Sequence, residues 1–327
     1  MRVDIDAIKQ AQKRIKTAVV KTPLLSSAYL NERLSAAVFI KPENLQPIGA
    51  FKIRGAYNRL SQLNESEKAL GVVAFSSGNH AQGVAYAARQ LGMAATIVMP
   101  SDAPLVKLEG TRKLGATIRL YDRETESREA IAEAISKDTG AVLVPAFDDP
   151  AIIAGQGTCA VEIVEQLASK KLIADAVLIP CGGGGLLAGV STAIKAISQN
   201  TQVYGVEPEG FDDHYKSKLA GQPVSIDPGR HTFCDALLAT TPGELTWSIN
   251  SKIVDGFLQV SDDDVAYAIS YAFRYLKLII EPGGAVALAA LLHDKLDVAG
   301  KTVCIILSGG NIDSKTFIEC LEKYPTP

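Results

Sequence analysis

Long hydrophobic runs are missing from this 327-residue chain. A membrane-spanning helix needs about 20 consecutive apolar residues, and stretches such as Val303–Leu307 fall far short. The N-terminal Met1-Arg2-Val3-Asp4-Ile5-Asp6 also lacks the apolar segment of a secretory signal. A cytoplasmic protein with no membrane partner is therefore expected. A strong charge of either sign is missing too. The net charge is −3, with no Lys/Arg-rich patch or tail, which argues against nucleic acid as a partner. Cysteine is sparse: Cys159, Cys181, Cys234, Cys304 and Cys320 are scattered, odd in number and never spaced Cys-x-x-Cys. That pattern argues against a disulfide framework and against a zinc site. There are only four histidines and no His-x-x-x-His pair, so a histidine-based metal site is not expected.

Apolar material is plentiful, however. Hydrophobic residues make up 47% of the chain, enough for one large domain or two smaller ones. Short β-rich runs alternate with longer helical patterns. Strands are predicted at Val72–Phe75, Ala95–Met99, Thr117–Tyr121, Val142–Val144, Ala176–Ile179, Val203–Val206 and Thr302–Leu307. Helices are predicted at about Ala81–Leu91, Leu108–Leu114 and Ser127–Thr139, with another after Gly182–Gly185. This alternation predicts an α/β fold of mostly parallel sheets covered on both faces. Ligands in such folds sit beyond the carboxyl ends of the strands. Three polar or glycine-rich turns fall there: Ser76–His80, Gly182–Gly185 and Ser308–Asn311.

Four motifs carry chemistry. In Gly49-Ala50-Phe51-Lys52-Ile53-Arg54-Gly55, a lysine sits between glycines behind an aromatic residue. Such a lysine is a surface turn residue or, if desolvated, an amine able to form a Schiff base with an aldehyde cofactor. Gly182–Gly185 exceeds what a tight turn needs; four glycines before a helix let backbone N–H groups approach a phosphate. Ser76-Ser77-Gly78-Asn79-His80 offers hydroxyl, amide and backbone donors to a carboxylate, or forms a turn with a helix cap. Ser308-Gly309-Gly310-Asn311 alone reads as a strand-ending turn.

In this order and spacing, from Thr22-Pro23-Leu24 to Ser308–Asp313, the motifs are similar to those of the threonine dehydratase and serine racemase family of fold-type II pyridoxal 5′-phosphate (PLP) enzymes. The resemblance implies two open, twisted, mostly parallel sheet domains of the tryptophan synthase β type, with the cofactor in the cleft between them. A small domain, residues 72–147, would be inserted in a large one, residues 1–71 and 148–327. By the same resemblance Lys52 carries PLP and acts as the base that takes the substrate α-proton. Phe51 packs beside the pyridine ring, Asn79 meets its phenolic oxygen, and Ser308 meets its nitrogen. Gly182, Gly183, Gly184 and Gly185 bind the phosphate. Ser76, Ser77, Asn79 and His80 hold the substrate α-carboxylate. Lys52 is expected to have a lowered pKa.

Ala50 stands where many relatives have serine. Ser77 stands where many threonine dehydratases have alanine and serine racemases have serine. It would lie on the cofactor face opposite Lys52, either exchanging a proton there, as racemisation requires, or only binding the carboxylate. Glu207, the carbonyl of Phe211 and Asp213 match the divalent-cation ligands of serine racemases, which implies Mg²⁺, Mn²⁺ or Ca²⁺ in a structural role. Arg128 aligns with an arginine that can approach the distal end of the substrate. It either holds a second carboxylate bidentately or pairs with surface acids. Thr240–Glu244 is expected to border the pocket. A homodimer is expected, as is the absence of an effector-binding domain after Asp313.

The implied activity is dehydration of a small β-hydroxy amino acid, L-threonine, L-serine or threo-3-hydroxyaspartate, to a 2-oxo acid and ammonia. The main alternative is an amino-acid racemase with dehydratase side activity. A β-replacement enzyme and a non-catalytic PLP-binding protein are further alternatives.

Overall fold

Among the described residues, ten strands form two sheets. In chain order they are β1 (Leu25–Ser26), β2 (Ala37–Pro42), β3 (Val72–Phe75), β4 (Ala95–Pro100), β5 (Thr117–Tyr121), β6 (Val142–Leu143), β7 (Ala176–Pro180), β8 (Gln202–Pro208), β9 (Gly256–Val260) and β10 (Thr302–Leu307). These come from a computed structural model that describes residues 2–103, 105–227 and 229–327. Six strands lie in the order β1-β2-β10-β7-β8-β9 and four in the order β5-β4-β3-β6. Every pairing is parallel except the short β1–β2 hairpin.

The position of each strand follows from its side chains. Every residue of β7 is buried, and so is every residue of β10 after Thr302. These are unbroken apolar runs suited to a strand covered on both faces. β5 is mostly exposed and carries Arg119. A charged, polar strand suits a sheet edge, where it discourages pairing with other chains. All seven predicted strands are present: β4 and β7 run one residue longer than predicted, β8 three residues longer, and β6 one residue shorter. β1, β2 and β9 are additional. Among the described residues no helix is long and apolar enough to cross a membrane, and all five cysteines are free and buried.

Topology places the ligand cleft. From β3 the chain steps outward to β4 and β5, then returns to β6 on the other side of β3. β7 likewise lies between β8 and β10. Reversals of this kind leave a crevice at the strand carboxyl ends, where Ser76–His80, Gly182–Gly185 and Ser308 follow. The helix Lys52–Leu60 packs against both the helix Asn79–Gln90 and the long helix Pro150–Ser169. Gly155 makes the second packing possible: a Cβ there would lie 2.5 Å from the carbonyl oxygen of Arg54.

Candidate active site

One cavity collects residues from both sheets: Lys52 and Phe51, Ser76 through His80, Gly182 through Gly185, and Ser308. Lys52 opens its helix, and its ammonium donates a 2.8 Å hydrogen bond to the carbonyl of Ala146. Burial pushes its pKa down to about 8, as desolvation must for an unpaired cation. The neutral amine is thus accessible near physiological pH. Lys52 Nζ sits 5.3 Å from the centre of the Phe51 ring. A bridge between Ala50 and Gly309 ties the lysine motif to the Ser308 turn.

Opposite lies the glycine loop. Gly184 has φ +88° and caps the helix Gly185–Ile197 with no side chain, which leaves the first-turn N–H groups open. The loop is closely backed. A Cβ on Gly183 would lie 2.4 Å from the Phe147 ring, and one on Gly184 would lie 2.5 Å from His214 Nε2. Only glycine fits. Open N–H groups, a half-buried lysine of lowered pKa and a hydroxyl at Ser308 form a donor set that suits PLP.

The third wall follows β3. The Ser76 hydroxyl accepts from the Gly78 N–H, and the helix Asn79–Gln90 also starts without a side-chain cap. His80 Nε2 lies 3.1 Å from the Val144 carbonyl, so it carries the ring hydrogen. Burial, with Lys52 nearby, lowers the His80 pKa to about 3; the ring is neutral. Asn79 is held at both ends: its amide N–H donates to Glu281, and its oxygen accepts from Asn311 at 2.7 Å. One Asn79 N–H remains for a ligand.

Arg128 is exposed and pairs with a surface acid, as one of its two readings expects, while its guanidinium stands at the cavity. It lines the cavity with its guanidinium 5.4 Å from the Phe75 ring centre, and it also donates to Glu129 at 2.7 Å. The cavity further contains residues that the sequence reading missed: Arg123, Phe147, Lys107 and Asp235. Arg123 lies two residues past the carboxyl end of β5, where the strand-end rule looks, whereas Lys107 lies within the helix after β4. Lys107 pairs with Asp235, joining the helix Leu105–Lys113 to the turn Asp235–Leu237 across the cleft. Glu281, buried beside Asn79, is pushed up to about 7 by burial. The segment Thr240–Glu244 does not border the cavity. Asp235–Ala239 does, while Leu245 and Thr246 donate backbone N–H groups to Asp148 behind the glycine loop.

A second cluster lies behind that loop. The register Pro180↔Val206 sets Cys181 beside Glu207 at the ends of β7 and β8. The Glu207 carboxylate accepts from the N–H groups of His214 and Tyr215 at 3.0 and 2.8 Å, capping the helix Asp213–Ala220. Both oxygens of Asp213 and Nδ1 of His214 are buried with no hydrogen-bond partner. His214 Nδ1 lies 3.4 Å from Asp213 and 3.7 Å from Glu207. Burial pushes the Glu207 and Asp213 carboxyls upward, and at Glu207 the charge of Asp213 adds to it. Phe211 is buried next to them. Orphaned buried carboxylates suit a cation. The cluster is not built from oxygen alone, because donor atoms of Cys181, Glu207 and His214 lie within 4.8 Å of one another.

The fold and cavity define an α/β enzyme that seats a small phosphorylated cofactor between two parallel sheets beside a reactive lysine. The chain belongs to the pyridoxal-phosphate dependent enzyme family, whose sequence model matches residues 15–309. It is 43% identical over 311 residues to an L-threonine ammonia-lyase of Thermotoga maritima, covering 95% of this chain and 76% of that one. It is 42% identical over 322 residues to an L-threo-3-hydroxyaspartate ammonia-lyase of Saccharomyces cerevisiae, covering 98% and 97%. The structure of maize serine racemase superimposes with a TM-score of 0.92 at 38% identity, covering 99% of this chain and 98% of that one.

Proposed function

We propose that this protein is a PLP-dependent ammonia-lyase that converts a β-hydroxy amino acid to a 2-oxo acid and ammonia. The observation that carries the reading is the half-buried Lys52, its amine held down in pKa, sharing one cavity with an uncapped glycine loop and the Ser76–His80 turn. Bound PLP supplies an electron sink that acidifies the substrate's α-hydrogen. The chain's residues do the rest. Lys52 holds the cofactor and then, as a neutral amine, takes the α-proton. Gly182 to Gly185 hold the phosphate, Phe51 flanks the ring, Ser308 meets its nitrogen and Asn79 its phenolic oxygen. Ser76, Ser77, Asn79 and the neutral His80 hold the α-carboxylate at an uncapped helix start. Closing the unit of residues 72–147 on the rest, with Lys107 and Asp235 meeting at the rim, excludes water.

Arg123 and Arg128 on one cavity wall favour a substrate with a second carboxylate, and hence threo-3-hydroxyaspartate among the three candidates. Glu207 and Asp213, with the Phe211 carbonyl beside them, form the cation cluster. Exposed Tyr29, Phe273, Tyr275 and Ile279, with Tyr29 and Tyr275 in contact, support a homodimer. Five free cysteines are in keeping with a reducing, cytoplasmic compartment.

A second reading, racemisation, rests on Ser77 sharing the cavity with Lys52, since inversion needs a proton group on each face. The test is a panel of L-threonine, L-serine and threo-3-hydroxyaspartate, following oxo acid and enantiomers with the wild type, Lys52→Ala and Ser77→Ala. Lys52→Ala is expected to lose both the bound chromophore and turnover, and retention of both would overturn the reading. D-enantiomer formation that disappears in Ser77→Ala assigns racemisation.

A further inference from the structure

We infer that the cluster behind the glycine loop takes a borderline transition-metal ion, of which Zn²⁺ is the model, through Cys181 Sγ and His214 Nδ1 together with the carboxylates of Glu207 and Asp213. This rests on the proposal of a cation at Glu207 and Asp213, and goes beyond it in the donors and in the kind of ion.

Three elements converge to build the site. Cys181 leaves β7, Glu207 closes β8, and Asp213 and His214 open the next helix. All four residues are at most 1% exposed. That burial matters for Mg²⁺, which keeps several waters in a near-octahedral shell of oxygens. Here the space around the carboxylates is taken by a thiol and an imidazole. Mg²⁺ and Ca²⁺ make poor bonds to both donors, whereas zinc-type ions prefer them. Zinc bonds of about 2.3 Å to sulfur and 2.0–2.2 Å to nitrogen and oxygen place tetrahedral ligand atoms roughly 3.3–3.8 Å apart. The donor atoms of Cys181, Glu207 and His214 already lie within 4.8 Å of one another. Asp213 Oδ2 is 3.4 Å from His214 Nδ1. Asp213 lies outside that set of three and reaches only His214, so its carboxylate must turn toward the other two donors to complete a four-coordinate site.

The orphaned atoms point the same way. Asp213 has two bare oxygens and His214 a bare Nδ1, each costly to bury unpaired. A metal ion in a four-coordinate site satisfies His214 Nδ1 and one of the Asp213 oxygens together. The other imidazole nitrogen, Nε2, faces away toward Asn250 at 3.4 Å, which leaves Nδ1 as the donor. Binding releases protons to solvent: the Cys181 S–H bond breaks as the S–metal bond forms, and any proton that burial keeps on Glu207 or Asp213 leaves as its O–metal bond forms. Three anionic ligands exceed the charge of the dication by one, and the helix N-terminus at Asp213 offsets part of that.

The test uses PLP-loaded protein, stripped by a chelator and then dialysed to equilibrium against Zn²⁺ alone, Mg²⁺ alone or Ca²⁺ alone. Expected is one Zn²⁺ per chain, retained against a large excess of Mg²⁺. X-ray absorption at the zinc edge should show one sulfur at about 2.3 Å beside nitrogen and oxygen ligands. Cys181→Ser removes the sulfur shell, and Cys181→Ser or His214→Gln weakens Zn²⁺ at least 10-fold. A shell of oxygen only in the wild type, with Mg²⁺ or Ca²⁺ displacing Zn²⁺, overturns the thiol and imidazole assignment and leaves the cation proposal standing. No stoichiometric uptake of any of the three ions overturns both. The wild-type spectrum decides even if a variant fails to fold.

Discussion

Two buried clusters of charge flank the cavity, one behind Lys52 and one behind the glycine loop, and only the first is complete. Behind Lys52, Arg54 forks onto Glu43 and onto Glu162 with contacts of 2.7–2.9 Å, and donates once more to Thr158. All five guanidinium N–H groups are used. Lys41 spends its three donors on Glu162, Gln166 and the Thr22 carbonyl. Two cations face two anions. Burial pushes the Glu43 carboxyl up, yet Arg54 and Lys41 hold it below the usual range. Behind the glycine loop, two carboxylates face a histidine and a thiol with no lysine or arginine among them, and three polar atoms lack partners. The difference teaches where the chain relies on itself. It fixes the helix that carries Lys52 with its own charges, and it gives the carboxylates behind the glycine loop no lysine or arginine partner, the gap that the proposed ion would fill.

Breaking the complete cluster should have the largest effect. Arg54→Met strands Glu43 and Glu162 in the core. A loss of about 3–5 kcal/mol is expected, read from denaturant unfolding, with the cofactor absorbance lost as Lys52 loses its footing. Breaking the open cluster should act in the opposite sense. In chelated protein, Asp213→Asn removes a bare carboxylate, so melting temperature holds or rises. The gain on adding metal disappears; in the wild type that gain is about 2.7 kcal/mol at 100 times Kd.

Acid should erode stability through His80. Its pKa is about 3 when folded, against 6.5 for an unperturbed ring. The unfolded chain therefore takes up the proton first, and stability falls as pH drops from about 6.5 toward 3. His80→Gln should flatten that part of a stability–pH curve. The smallest effect concerns Lys52. Only its neutral form reacts with an aldehyde, so PLP reloading onto stripped protein should speed up with pH to a midpoint near 8. Arg54→Lys, which loosens the complete cluster and wets Lys52, should move that midpoint toward 10.5.

Much of this was legible in the chain. The apolar runs of β3 and β10, and the alternating Thr117–Tyr121 of β5, stand in the structure with the bounds that their sequences predict. β2 was not legible, because its buried Lys41 interrupts an apolar run and is tolerated only through distant Glu162 and Gln166. β9 is short and only partly buried. The cavity motifs were legible because each is contiguous and follows a strand. Arg123, Lys107, Asp235 and Glu281 escaped notice because each is an ordinary charged residue until the fold brings it to the cavity. The scattered cysteines and histidines argued against a soft-donor cluster for a related reason. Spacing rules read ligands along one segment, whereas Cys181, Glu207 and His214 come together only through the parallel register of β7 and β8.

His214 touches Gly184 with one ring nitrogen and faces the acids with the other. An ion bound as proposed and the cofactor's phosphate would therefore share a single imidazole. Thermodynamic reciprocity then fixes their relation. By whatever factor a seated phosphate group tightens the protein's hold on its ion, the ion tightens the hold on the phosphate group. Starving the protein of one should appear as leakage of the other.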